Sequence, residues 1–245
     1  MNLKSTSIWR HLRLYGCSTP WRLISFVFLG LGIAPYCLAH GVAEGDALFI
    51  EQATGMQLLP FIYLGAKHMV TGYDHLLFLV GVIFFLYHMK EVAAYVTLFA
   101  VGHSVTLLFG MLNDVHVNPF IVDAIIGLSV VYKAMDNLGA FKRWFGYQPN
   151  TKAAVLIFGF FHGFGLATKL QDFTLSEDGL VANILAFNIG VEIGQLLALA
   201  AILILMNFWR RSSIFVQQAF AANVLLMAAG FALIGYQLTG YMVYS

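Results

Sequence analysis

From Leu180 to Phe208 the chain carries one charged residue, Glu192. An apolar run of that length is enough to cross a hydrocarbon core, which takes about 20 residues. Comparable runs recur at about 74–88, 92–112, 119–135 and 153–170, and from 215 to the C-terminus. The sequence as a whole is 60% hydrophobic and 10% charged, against about 25% charged for a soluble domain. The fold class that follows is an all-α membrane protein, a six-transmembrane-helix bundle preceded by a signal peptide.

The signal occupies residues 1–39. Lys4, Arg10, Arg13 and Arg22 form a positive n-region, an apolar stretch follows, and Cys37-Leu38-Ala39 is a small-x-small cleavage pattern. An uncleaved signal anchor is the alternative. Cleavage after Ala39 makes His40 the new N-terminus and removes Cys17 and Cys37, the two cysteines of the chain. Thiol chemistry is then excluded, and His, Asp, Glu, Asn and Met remain as metal ligands. Residues 40–56 form a short acidic segment on the far side of the membrane, and 57–245 form the transmembrane domain. The piece from Met56 to Thr71, interrupted by Pro60 and Gly65, reads as a short helix lying in or dipping into the outer interface, part of which could complete the short first span from Asp74 to His88.

Six spans from an outside start place Lys90, Lys133, Lys142, Arg143, Lys152, Arg210 and Arg211 inside and leave only Lys67 and Lys169 outside, as the positive-inside rule requires. The acidic loops fall outside. The chain therefore belongs in a bacterial inner membrane with both mature termini periplasmic. No basic patch with interleaved aromatics points to nucleic acid; the lipid bilayer and a metal ion are the partners the sequence suggests.

The metal enters through the polar residues of the spans. His68, Asp74 and His75 open the first apolar run, and His103, Asp123, His162 and Glu192 lie within the next four. By residue count His75 lies near the outer face, Asp123 in the outer third, and His103, His162 and Glu192 about the middle. A charge at a helix centre costs about 2.5–3.5 kcal/mol even on the lenient insertion scale, so such residues mark function by default. Imidazole with carboxylate suits zinc, nickel and iron. Interhelical hydrogen bonding is the competing explanation; it accounts well for Ser104, Thr106, Asn188 and Gln195 and poorly for three histidines with two carboxylates. Gly159-x-x-x-Gly163 and Gly190-x-x-x-Gly194 flank His162 and Glu192 and predict close helix contacts there. Asn188, Glu192 and Gln195 form one stripe, which predicts an inward polar face. No nucleophile–base arrangement or phosphate loop is present, so nucleophilic catalysis finds little support, and the enzymatic alternative left open is a membrane metalloenzyme.

His68 and His75 stand seven positions apart. On a straight helix that is roughly 10 Å along the axis, too far to share an ion held at about 2.0–2.1 Å. A shared site requires a break between them, and Thr71-Gly72 is where the sequence allows one.

The spacing His68-x5-Asp74-His75, followed by Leu76-Leu77-Phe78 and combined with Phe161-His162-Gly163, resembles the HupE/UreJ family of membrane accessory proteins associated with nickel hydrogenases and ureases. The resemblance spans the signal and the six-helix layout. It implies permeation of a divalent transition metal, nickel first and zinc, cobalt, copper or iron after it, with His68, Asp74 and His75 in the metal path, His162 as a second element, and metalloenzyme-maturation proteins as partners. Two positions depart from the family pattern: Met69 stands where proline is common, and Phe164 follows Gly163 where a histidine is usual. The expected function is an integral membrane metal-ion permease. The alternatives are a membrane-embedded metalloprotein with one fixed site open to the periplasm, a hydrolase or redox enzyme using a His/carboxylate-bound metal, and a non-catalytic assembly or chaperone subunit that stores metal or hands it over.

Overall fold

The computed structural model describes residues 46, 49, 50, 52–171 and 178–244. The expected signal (1–39), His40, most of the 40–56 segment and the acidic residues Asp172 and Glu177 lie outside the described residues. Among the described residues the regular elements are helices: α1 (Leu58–Thr71), α2 (Tyr73–Ile83), α3 (Met89–Leu112), α4 (Pro119–Asn137), α5 (Ala140–Phe145), α6 (Thr151–Gln171), α7 (Leu180–Arg210) and α8 (Phe215–Tyr244). Four of them, α3, α6, α7 and α8, are long and apolar enough to cross a membrane. Helix α4 has 19 residues but carries Asp123, Lys133 and Asp136. Each of these charges is paired, Asp123 with Lys169 of α6 and Lys133 with Asp136.

Most of the bundle is built from three helix pairs. In the first, α1 runs alongside α7 in the same direction, and α2 continues it, packing mainly on α4 and meeting α7 at its far end. Gly55 and Gln57 hydrogen-bond Asn183 near the start of α7. Ile62 and Ala66 lie against Gly190 and Gly194. Arg210, at the far end of α7, donates to the carbonyls of Ile83 and Phe84. The hydrogen-bonded partners in this seam are 126–128 positions apart throughout, so the pairing is parallel and keeps one register across the break at Gly72. The seam is tight: a Cβ on Gly190 would stand 2.0 Å from the Ile62 carbonyl oxygen, and one on Gly65 2.0 Å from that of Phe187. Small residues permit this approach.

Helices α3 and α6 make a second parallel pair. Gly159 sits against Phe99 and Gly102, Gly163 against His103 and Thr106, and Gly110 against Ala167. Thr106 Oγ1 closes the seam by donating to the Phe160 carbonyl at 2.8 Å. The third pair, α4 and α8, is antiparallel, with Gly127 against Gly230, Phe120 against Gly240, and Asn137 donating to Asn223 at 2.9 Å.

Two observed elements differ from the sequence expectation. The residues expected to form a short helix before the first span, part of which could complete that span, form α1, which packs along α7 because Gly65, Gly190 and Gly194 let the backbones meet. Helix α2 ends at Ile83 rather than near His88. Its terminal carbonyls are taken by side chains from elsewhere: Asn137 Nδ2 donates to Gly81 at 2.8 Å and Arg210 Nη2 to Phe84 at 2.9 Å. A helix can stop inside a bundle only when those groups find partners.

Candidate functional site

Gly72 separates α1 from α2. Its backbone is extended (φ −69°, ψ 102°), and its N–H bonds the His68 carbonyl at 2.9 Å, closing α1. The break redirects the chain so that His68, at the end of α1, and His75, in the first turn of α2, face one another, with ring centres 5.1 Å apart. No side chain fits at the break, since a Cβ on Gly72 would lie 2.6 Å from His75 Nδ1.

Asp74 positions His75. Its Oδ1 accepts the His75 backbone N–H at 2.6 Å and stands 2.8 Å from the ring Nδ1. With Nδ1–H directed at the carboxylate, Nε2 carries the lone pair, the arrangement that orients metal-binding imidazoles. The next ring is His162 of α6, centred 5.2 Å from His75. His162 Nδ1 stands 2.7 Å from the Phe158 carbonyl. A carbonyl only accepts, so Nδ1 bears the proton and Nε2 the lone pair. That Nε2 is buried and has no hydrogen-bond partner among the described residues. His103 of α3 follows behind Phe99, whose ring is 4.8 Å from His162 and 6.2 Å from His103. Neither ring nitrogen of His103 makes a well-formed hydrogen bond among the described residues; Asn188 of α7 is the adjacent polar group, and its Oδ1 is likewise unmatched.

Burial is graded along this series. His68 is half-buried, whereas His75, His162 and His103 are 3%, 2% and 1% exposed. Four elements, α1, α2, α6 and α3, thus contribute one imidazole each, leading from an accessible ring to enclosed ones. Buried polar atoms are nearly always satisfied, and those that are not mark a strained or functional position. The unmatched Nε2 of His162 fits a site whose ligand takes a cation, and His103 has Asn188 beside it as its polar neighbour.

The structure does not bring Asp123 and Glu192 into this series by any contact. Asp123 is held by Lys169 Nζ at 2.7 and 2.9 Å and by Gln237 Nε2 at 3.3 Å. Glu192 lies on the exposed surface of α7, while Asn188 and Gln195 of the same stripe are buried. Among the described residues no three His, Cys, Asp or Glu side chains converge tightly enough to enclose an ion in this arrangement. What the geometry offers is successive two-ring steps.

A protein-family model described as HupE / UreJ protein matches residues 44–245. The chain belongs to the HupE/UreJ family. The match covers every described helix, the His68–His75 stretch and the Phe161-His162-Gly163 element. Family membership and the apolar helices make this a multi-pass membrane protein of the kind linked in general to nickel and cobalt handling, as accessory or transport-related components. No curated protein and no solved structure gives a significant match to the chain.

Sequence reasoning did not anticipate the aromatic frame around the imidazoles. Phe99 and Phe78 pack on His162, and Phe187 on His68. The available signal was the coincidence of phenylalanines one turn from histidines on α2, α3 and α6, a pattern that core packing also produces.

Proposed function

We propose that the protein is a six-span permease for a divalent transition metal, nickel foremost, and that His68, His75, His162 and His103 bind the ion in turn near the middle of the bundle, with Asp74 orienting His75. The observation that carries this reading is the imidazole series itself, with centres 5.1 and 5.2 Å apart at its first two steps. Two nitrogens bound to one ion at about 2.0–2.1 Å lie within about 4 Å of each other. Rings at this spacing can share an ion pairwise, and a site formed by two rings holds it weakly enough to hand it on.

In this reading α1 and α2 together make the first span and α4 the third. The end of the bundle bearing Lys90, Lys142, Arg143, Lys152, Arg210 and Arg211 is cytoplasmic by the positive-inside rule. His162 then stands ten residues beyond Lys152, about 15 Å up α6, and His75 stands eight residues before the end of α2, about 12 Å. Both are near the middle of a core about 30 Å thick, which for His75 is deeper than residue counting from Asp74 suggested. Glu192 lies about 27 Å from Arg210 along α7, at the opposite headgroups, where an exposed carboxylate is solvated. Asp123 acts in pairing rather than as a ligand, and no catalytic step is assigned to the chain.

One observation favours a second reading. Beyond His162 the rings of Phe78, Phe99 and Phe158 pack together, an apolar layer on the cytoplasmic side of the imidazoles. That layer suits a fixed metalloprotein site open to the periplasm as well as it suits a closed permease. Uptake of radioactive nickel, cobalt, zinc and copper into vesicles containing the protein separates the two. Metal-dependent uptake that fails in His68→Ala and His75→Ala supports the permease. Tight binding of a stoichiometric ion without uptake overturns it.

A further inference from the structure

On the far side of the Phe78–Phe158 layer lies a polar cluster that the imidazole series does not use. Tyr132 of α4 packs on Phe158, ring centres 5.4 Å apart, and its hydroxyl is buried without a hydrogen-bond partner among the described residues. The next residue, Lys133, donates its ammonium to Asp136 one turn on, and the two side chains are only 8% and 9% exposed. Asp136 also accepts from Gln148 and from Thr151 Oγ1, the latter at 3.2 Å. Asn137 reaches Gly81 of α2 and Asn223 of α8. The Lys133 stem lies against Gly81, where a Cβ would be 3.1 Å from its Cγ. The Asp136 carboxylate is therefore held by α4, by the segment before α6 and by the first residue of α6, and its counter-charge is an ammonium on its own helix.

Stability does not call for this pair. It links two residues of one helix rather than two helices, and replacing a buried ion pair with apolar side chains is often neutral or stabilising. Its placement, next to Tyr132 and so beyond the aromatic layer that carries Phe158 and Phe78, suggests another role. We propose that Asp136 is a second cation station on the cytoplasmic side, and that the Lys133 ammonium holds its place as a tethered cation when no metal is there.

The station would take a partly hydrated divalent cation. Its donors are oxygens: the Asp136 carboxylate, the Thr151 hydroxyl, and the amide oxygen of Gln148 once that group turns. Oxygen donors hold nickel-type ions less firmly than imidazoles do, so the order along the path runs from capture to release. The returning ammonium would expel the ion, which leaves the carboxylate neutralised for the next cycle. This rests on the permease reading for its place in a path, but the station itself can be measured without transport.

The experiment is equilibrium dialysis of purified full-length protein against nickel ions, followed by metal analysis. Lys133→Met removes the tethered cation and keeps the apolar stem. It is expected to bind one ion more than the parent, and Lys133→Met/Asp136→Asn to return to the parent value. In vesicles, Asp136→Asn is expected to lose most of its uptake while the dialysis count of the parent site is kept. The swapped pair Lys133→Asp/Asp136→Lys restores the ion pair but moves the carboxylate. Monodisperse elution in detergent shows that each variant is folded. No additional ion in Lys133→Met, or full uptake by the swapped pair, would overturn the proposal. A parent that binds at its imidazoles but transports nothing would overturn the permease reading instead and leave the dialysis result to decide the station.

Discussion

The imidazoles of His75 and His162 stand edge to face with their centres 5.2 Å apart, brought together from α2 and α6, helices that belong to different pairs of the bundle. His162 offers an unmatched Nε2 and has its other nitrogen fixed on the Phe158 carbonyl. His162→Ala is therefore expected to abolish transfer beyond His75 while leaving capture at His68 and His75 intact. Uptake should vanish and a weaker equilibrium binding should remain. Uptake equal to the parent's would remove His162 from the path.

Asp74 acts through His75. Asp74→Asn keeps the size of the side chain and can still accept a hydrogen bond, but it no longer supplies a carboxylate to the ring. Loss of such an outer partner typically costs about 10–100-fold in metal affinity. The same drop is expected here, measured by titration calorimetry, with the thermal midpoint in detergent little changed.

Gly72 tests the break itself. Alanine there places a Cβ 2.6 Å from His75 Nδ1 and favours helix at a position that must be extended. Gly72→Ala is expected to raise helical content by circular dichroism and to weaken metal binding about as much as His75→Ala does. A variant with parent affinity would mean that His75 tolerates displacement.

The Asp123–Lys169 pair separates ligand from structural roles. Removing one partner of a buried pair leaves the other uncompensated, at a cost of about 3 kcal/mol, the lower end of the usual range. The lower end applies because the Lys169 side chain is 16% exposed. Asp123→Ala should lower the thermal midpoint, and Asp123→Ala/Lys169→Met should recover most of the loss while keeping metal uptake. A stable double variant without uptake would return Asp123 to the ligand set.

Glu192 is expected to matter least. Glu192→Gln alters an exposed side chain and should leave metal affinity within about twofold of the parent, as surface changes away from special features are usually within ±0.5 kcal/mol.

Much of this architecture is written locally. The apolar runs locate the long helices, Gly72 marks the break, and the two Gly-x-x-x-Gly motifs lie at the tight seams, against α3 for Gly159 and Gly163 and against α1 for Gly190 and Gly194. What the sequence conceals is pairing at a distance. Lys169 lies in another helix from Asp123, so nothing nearby shows that the carboxylate is neutralised. The stripe of Asn188, Glu192 and Gln195 is wider than the buried sector of α7: Glu192 is about 40° around from Asn188, enough to carry it onto the exposed surface. The depth of His75 is hidden for a similar reason. The residues before it look too polar and broken to span, and only the glycine seam with α7 shows that they accompany it. Lys133 and Asp136 were detectable, as opposite charges three positions apart on one helix, but a basic residue near the end of an apolar run reads equally well as a topology signal.

The parallel register of α1 and α2 with α7 also governs how the protein is made. A hairpin can close as soon as its second strand of chain appears, but a parallel partner cannot be its neighbour in sequence. The first helices to leave the ribosome must wait for a partner 126–128 residues downstream. Until α7 is synthesised, Arg210 is not there to satisfy the end of α2, and Gly190 and Gly194 are not there to seat α1. His68, Asp74 and His75 are thus translated early and set in place late. A prematurely terminated chain would carry the His68–His75 stretch in full and still lack the groove that holds it, so a fragment of this protein would not present these side chains in their final arrangement.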